Sequence, residues 1–294
     1  MEKVRSIAVI DLKAFYSYVE CIDRGLDPWK VPLVVADKER GTNTIILSVT
    51  PFLKNKGIPS RLRLKELPKK FDYIYAVPRM ERYIEKSSEV VGILLDFFDA
   101  SDIHVYSIDE AFIDLTGTER LFGPPEETAM KIKKAVKDET GLTVSIRLSQ
   151  YKYFAKISSG LSKPDGFYFM KPGTESDFML NQPIEKIWGI GEKTAKRIYD
   201  SGIRTTRQLY DKNLDVLMIM YGENTGKFLY EILRGNADGM FENETKSHSL
   251  SNERTFPVDI TDIYTNETAL MELAHSVMFR LLRENKCSRT IFVK

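Results

Sequence analysis

The apolar run Ser6 to Ile10 stops at an acid, Asp11, and helical spacing begins at once, with Phe15, Val19 and Ile22 on one face of the segment Ala14 to Ile22. A buried strand that passes straight into an amphipathic helix is the first unit of an α+β sheet. Downstream, His104 to Ile108 and Ala111 to Leu115 read as strands with Asp109-Glu110 between them, Glu126 to Glu139 as a helix through Met130, Ala135 and Val136, Leu142 to Leu148 as a strand, and Lys152 to Ser162 as a helix stopped by Lys163-Pro164-Asp165-Gly166. Strand–helix followed by strand–strand–helix–strand is the order of a ferredoxin-like sheet.

The interval between first helix and second strand is long. Pro32 to Ala36 and Thr44 to Val49 predict two short strands, and Glu81 to Phe98 a helix with Ile84, Val91, Leu94, Leu95 and Phe98 on its apolar side. Between them, Lys54, Lys56, Arg61, Arg63, Lys65, Lys69 and Lys70 stand against one acid, Glu66. Such a run is either a solvated face or a path for phosphates. From Pro172 to about Gly239 the pattern is helical with short loops, and Asn243 to Ser251 is polar and aperiodic. A strand (Leu250 to Phe256), a helix (Glu267 to Glu284) and a strand begun at Thr290 follow, too few elements for a complete core, so the last domain is expected to be truncated.

At 294 residues the chain is expected to hold two or three domains. No apolar run reaches the roughly 20 residues of a membrane helix and no signal peptide is visible, so a cytoplasmic protein is expected. Cys21 and Cys287 make no ligand or disulfide framework, and both are expected to be buried or half-buried thiols. The net charge of +1 does not announce a polyanionic partner.

Taken singly, Asp11 reads as a cap or turn residue, and Asp109-Glu110 on a continuous strand would point to opposite faces. At a tight turn both can reach the same edge, and the first strand and the Asp109 hairpin are expected to be neighbours. Three carboxylates converging there would repel one another unless cations neutralise them. Hard oxygen donors suit Mg²⁺, and two such ions stabilise the attacking and leaving oxygens of a phosphoryl displacement.

The segment IDLKAFYSYVE, Ile10 to Glu20, resembles the first motif of the Y-family (translesion) DNA polymerases, and YSIDEAFIDLTG, Tyr106 to Gly117, resembles their second; the details are most similar to the UmuC-like branch. The resemblance implies a right-hand polymerase: a ferredoxin-like palm (1–14 and 81–171), small fingers (15–80), a helical thumb with a helix–hairpin–helix (172–240), a linker (241–249) and an incomplete α+β little finger (250–294). It makes Asp11, Asp109 and Glu110 the catalytic, metal-binding acids, with the Leu12 carbonyl completing a site for two Mg²⁺ ions, Mn²⁺ being the alternative. It further implies deoxynucleotide addition to a primer 3′-end, low fidelity and synthesis past damaged bases in a DNA-damage response. Primer–template DNA, deoxynucleoside triphosphates and a sliding clamp are the partners it implies, and no membrane.

The nucleotide site follows from the same resemblance. Amides at Ala14, Phe15 and Tyr16 open a helix, a ready anion site, and Tyr16 falls at the steric-gate position that excludes a 2′-hydroxyl. Lys163 matches the lysine that holds the triphosphate. In SVTPFLKNKGI, Pro51 and Lys54 stand where a Tyr and an Arg are commoner; Lys54 neutralises phosphate without the bidentate Arg fork. Lys13 replaces a frequent acid, and Tyr151 a usual Asn. IWGIGEKTAKRIYDSGI, Ile187 to Ile203, resembles a helix–hairpin–helix, with Gly189 and Gly191 permitting a tight turn whose amides face a phosphate and Lys193, Lys196 and Arg197 close behind. The bland reading is a Gly-containing helix turn. Two rivals remain: a nucleotidyl cyclase with a similar palm, and a non-catalytic DNA-binding scaffold.

Overall fold

The computed structural model describes residues 4–158, 161, 166–240, 249–256 and 258–294. Its central element is β1 (Ile7–Leu12), whose alternate side chains enter different cores: Ala8, Ile10 and Leu12 on one face, Ile7 and Val9 on the other. Both faces being covered explains why Ile7 to Ile10 is apolar throughout rather than alternating. β1 pairs antiparallel with β6 (Glu110–Asp114) and with β7 (Val144–Ser149). With β5 (Ile103–Ser107) and β8 (Phe167–Phe169) this makes a five-stranded sheet of order β5-β6-β1-β7-β8.

One face is covered by α1 (Phe15–Asp23), α3 (Met80–Leu95) and α5 (Pro125–Thr140); α6 (Lys152–Ile157) puts Ala155 against Ile7, Val9 and Phe112 on the other. The expected apolar side of α3 is corrected. Ile84 and Leu95 are exposed, whereas Leu94 and Phe98 are buried as expected, joined by Tyr83, Val90 and Ile93. The stripe is thus rotated so that Tyr83 turns inward, where Glu20 accepts its hydroxyl hydrogen bond. Likewise Met130 of α5 is exposed, while Ala129, Ile132 and Val136 are buried. Lys163 lies outside the described residues, as does much of the 152–162 helix beyond Ile157.

Inserted after α1 is a three-stranded sheet, β3 (Ser48–Val49), β2 (Leu33–Val35) and β4 (Ile74–Ala76), with α2 (Pro51–Asn55) and a core of its own around Val34, Ile46, Leu53 and Ile58. The expected strand Thr44 to Val49 is reduced to Ser48–Val49 plus a bridge from Ile45 to Arg63. Helices α7 (Glu175–Leu180), α8 (Glu192–Asp200), α9 (Thr206–Tyr210), α10 (Leu214–Tyr221) and α11 (Glu223–Leu233) enclose a further core, which Tyr153 and Phe154 of α6 enter from the sheet side.

Beyond the helices, most of the 241–249 linker falls outside the described residues, and α12 (Ile263–Arg283) is the expected helix, capped by Asp262. The strands expected at Leu250 to Phe256 and from Thr290 are not formed among the described residues. A strand is held by backbone bonds to a neighbour, and none pairs with these segments here. Cys287 is exposed rather than half-buried, while Cys21 is buried as expected. No helix among the described residues is long and apolar enough to cross a membrane.

Candidate active site

Asp11, next to last in β1, sits directly across from Glu110, the first residue of β6. Because Val9 pairs with both Phe112 and Arg147, the side chains of Asp11, Glu110 and Arg147 share one face of three adjacent strands. Asp109 belongs to the turn between β5 and β6, where its carbonyl accepts the Leu12 amide at 2.8 Å and its carboxylate accepts the Ser107 hydroxyl at 2.7 Å. The register therefore brings Asp11 and Glu110 together and leaves Asp109 beside them at the end of β1. Among the described residues, the acids are not gathered into a ready three-acid metal cluster.

Cations hold the pair instead. Arg147, with no exposed surface, donates from its two terminal nitrogens to Asp11 at 3.1 Å and to Glu110 at 3.4 Å, and its Nε donates to the Ala155 carbonyl at 3.1 Å. Lys156 pairs with the other Glu110 oxygen, and its ammonium lies 4.1 Å from the Tyr106 ring centre and 5.1 Å from that of Trp188. Neither cation belongs to a quoted motif. The signal for Arg147 was present all the same: a guanidinium inside an apolar strand needs a buried acid.

At the adjoining end of the sheet α1 begins. Its N-cap, Ala14, adopts the left-handed conformation (φ 46, ψ 41), rare for a residue with a Cβ, and no side chain caps the helix. The Ala14 carbonyl accepts the Ser17 hydroxyl at 2.9 Å, and Ser17 in turn accepts Ser48 of β3 at 3.1 Å, tying the inserted sheet to this turn. Phe15 is buried in the core, while Tyr16 is half-buried and stacks on Tyr83 with ring centres 4.6 Å apart. Burial, and then the charge of Asp109, push the Tyr16 phenol above its ordinary pKa. Lys13 points elsewhere, its ammonium 4.1 Å over Trp29.

The remaining expected residues are dispersed. Lys54 and the other six cations between Lys56 and Lys70 are all exposed. Gly189 takes φ +100, a conformation that favours glycine, and a Cβ there would meet Phe228 at 3.1 Å; Gly191 has φ −81 and open space around it, so only the first glycine is required by the turn. Gly191 is the N-cap of α8; Lys193 is exposed and Lys196 pairs with Asp200 at 2.7 Å. Arg197 is exposed and donates to the carbonyls of Met220 and Tyr221.

The overall architecture is that of the right-hand polymerases. A Y-family DNA polymerase chimera of Dbh and Dpo4 superposes with TM-score 0.77 at 25% identity, over 93% of this chain and 79% of that one. An insertion ternary complex of Dbh DNA polymerase gives TM-score 0.68 at 26% identity, over 79% and 68%. The impB/mucB/samB family matches residues 10–160, and the C-terminal domain of the impB/mucB/samB family matches 247–294. A DNA polymerase IV of Treponema denticola is 37% identical over 97% of this chain and 71% of its own length; one of Brucella melitensis is 34% identical over 98% and 64%. The chain belongs to the impB/mucB/samB family of Y-family DNA polymerases. Its relatives here carry the name DNA polymerase IV, not that of the UmuC-like branch.

Proposed function

We propose that the chain is a DNA-directed DNA polymerase of the translesion type, placed with the DNA polymerase IV relatives rather than the UmuC-like branch. The observation that carries the reading is the pairing of Asp11 with Glu110, with Asp109 in the adjoining turn and the N-terminus of α1 opening beside them. The 1–14 and 81–171 segments serve as palm, 15–80 as fingers, 172–240 as thumb, 241–249 as linker and 250–294 as part of a little finger.

The donor chemistry fits hard divalent cations: carboxylates of Asp11, Asp109 and Glu110, with the Leu12 carbonyl, are oxygen ligands of the kind Mg²⁺ and Mn²⁺ take. Two ions held there would supply charge neutralisation for the attacking and leaving oxygens of phosphoryl transfer. The chain's own residues position the substrates. Amides of the first turn of α1, at Phe15 and Tyr16, face an anionic triphosphate, with Lys54 and Lys163 as its cations. The Tyr16 ring, backed by Tyr83, meets the sugar edge and disfavours a 2′-hydroxyl. The Gly189 to Gly191 turn and Lys193 and Lys196 hold the DNA backbone without reading bases. A sliding clamp is the protein partner suggested by the family.

Primer extension on a primed template with Mg²⁺ and deoxynucleotides tests the reading. Addition restricted to the complementary nucleotide is expected. Template binding without extension would favour the scaffold reading instead.

A further inference from the structure

The cations at the acid pair bear on how this site takes up metal, an inference that rests on the metal-site reading above. Arg147 is not a rim residue that happens to lean on an acid. It is buried, its Nε is tied to the Ala155 carbonyl of α6, and its two terminal nitrogens are divided between Asp11 and Glu110. Those are two of the oxygen donors a divalent ion would need. Lys156 neutralises Glu110 from the other side. Asp11, Glu110 and Asp109 carry three negative charges, and the two cations offset two of them.

We propose that Arg147 is an internal competitor for divalent metal, occupying the Asp11 and Glu110 carboxylates until an ion displaces its guanidinium. The carboxylates stay reachable, with side chains 28% and 13% exposed for Asp11 and Glu110, so an ion can approach from solvent while Arg147, tied through Nε to the Ala155 carbonyl, gives up only its two terminal contacts. A hydrogen-bonded guanidinium in a site of low dielectric is held more firmly than a surface ion pair. Metal affinity is therefore set by an exchange: the ion gains the two carboxylates only as the guanidinium loses them. Lys156, which pairs with Glu110 and not with Asp11, restrains the site less.

The test is Mn²⁺ binding to the full chain without DNA or nucleotide, followed by the resonance signal of free Mn²⁺, in the unaltered protein and in Arg147→Met and Lys156→Met. Arg147→Met, which keeps an unbranched apolar stem and removes the charged guanidinium, is expected to bind Mn²⁺ about tenfold more tightly, and Lys156→Met to gain less. Equal binding by the unaltered chain and Arg147→Met, abolished in Asp11→Asn, would overturn the competition and leave the metal site standing. No Mn²⁺ binding by any of these chains would overturn both. Should Arg147→Met fail to fold, the unaltered chain decides: the Arg147 Nε–H resonance is expected to shift as Mg²⁺ is added, and an unchanged resonance under saturating Mg²⁺ would contradict the proposal.

Discussion

The Tyr16 ring lies on that of Tyr83 with 4.6 Å between centres and 30° between planes, and the Tyr83 hydroxyl donates to the fully buried Glu20 at 2.8 Å. The residue proposed as the sugar gate is thereby backed by a ring that is itself pinned from below. Tyr16→Ala is expected to raise ribonucleotide incorporation relative to deoxynucleotide, by about tenfold or more. Competing single-nucleotide incorporation of the two sugars measures it, and unchanged discrimination would remove Tyr16 from the gate.

Glu20 is the hinge of that support. Its carboxylate accepts from Arg79 at 2.9 Å, from Arg24 and from Tyr83, with no surface exposed. Removing one partner of a buried charged network strands the others, so Glu20→Ala is expected to cost about 3 kcal/mol. Urea unfolding of the two chains measures it, and a loss under about 1 kcal/mol would mean the network contributes little beyond filling space.

Gly226 of α11 packs directly on α10, where an added Cβ would meet the Met218 backbone nitrogen at 2.5 Å. Backbone cannot swing aside as a side-chain tip can, so Gly226→Ala is expected to destabilise by about 2 kcal/mol despite alanine's better helix propensity. A rise in melting temperature would show instead that the helices separate at no cost.

Burial pushes the Cys21 thiol up to about 12, the Arg24 charge opposing only in part, whereas Cys287 is exposed. The thiolate is the reactive form. At pH 8 a maleimide is expected to label Cys287 promptly and Cys21 only after denaturation, as peptide mass analysis of the labelled chain would report. Prompt labelling at Cys21 would show that α1 opens from the sheet.

Local pattern made much of this readable in advance. Asp11 and Asp109-Glu110 interrupt apolar strands at positions no packing argument needs, and the strand order that makes them neighbours follows from the succession of elements. Faces were harder: in α3 Leu94 is buried as expected, but Ile84, Val91 and Leu95 offer as apolar a stripe as Tyr83 and Val90, and only Glu20, 63 residues upstream of Tyr83, selects the second. Arg147 and Lys156 lie outside the motifs, and their meaning depends on strand pairing between distant segments. The expected strands after Ser249 lacked a neighbour to bond with, which no local propensity supplies.

The central claim is that Asp11, Asp109 and Glu110 form the catalytic centre of a template-directed polymerase. Primer extension with Mg²⁺ by the unaltered chain and by its Asp109→Ala, Glu110→Ala variant, at matched primer–template occupancy, tests it most directly. The account predicts complementary nucleotide addition that falls by about a thousandfold or more in the variant while DNA binding persists. Extension by the variant at the unaltered rate would contradict it.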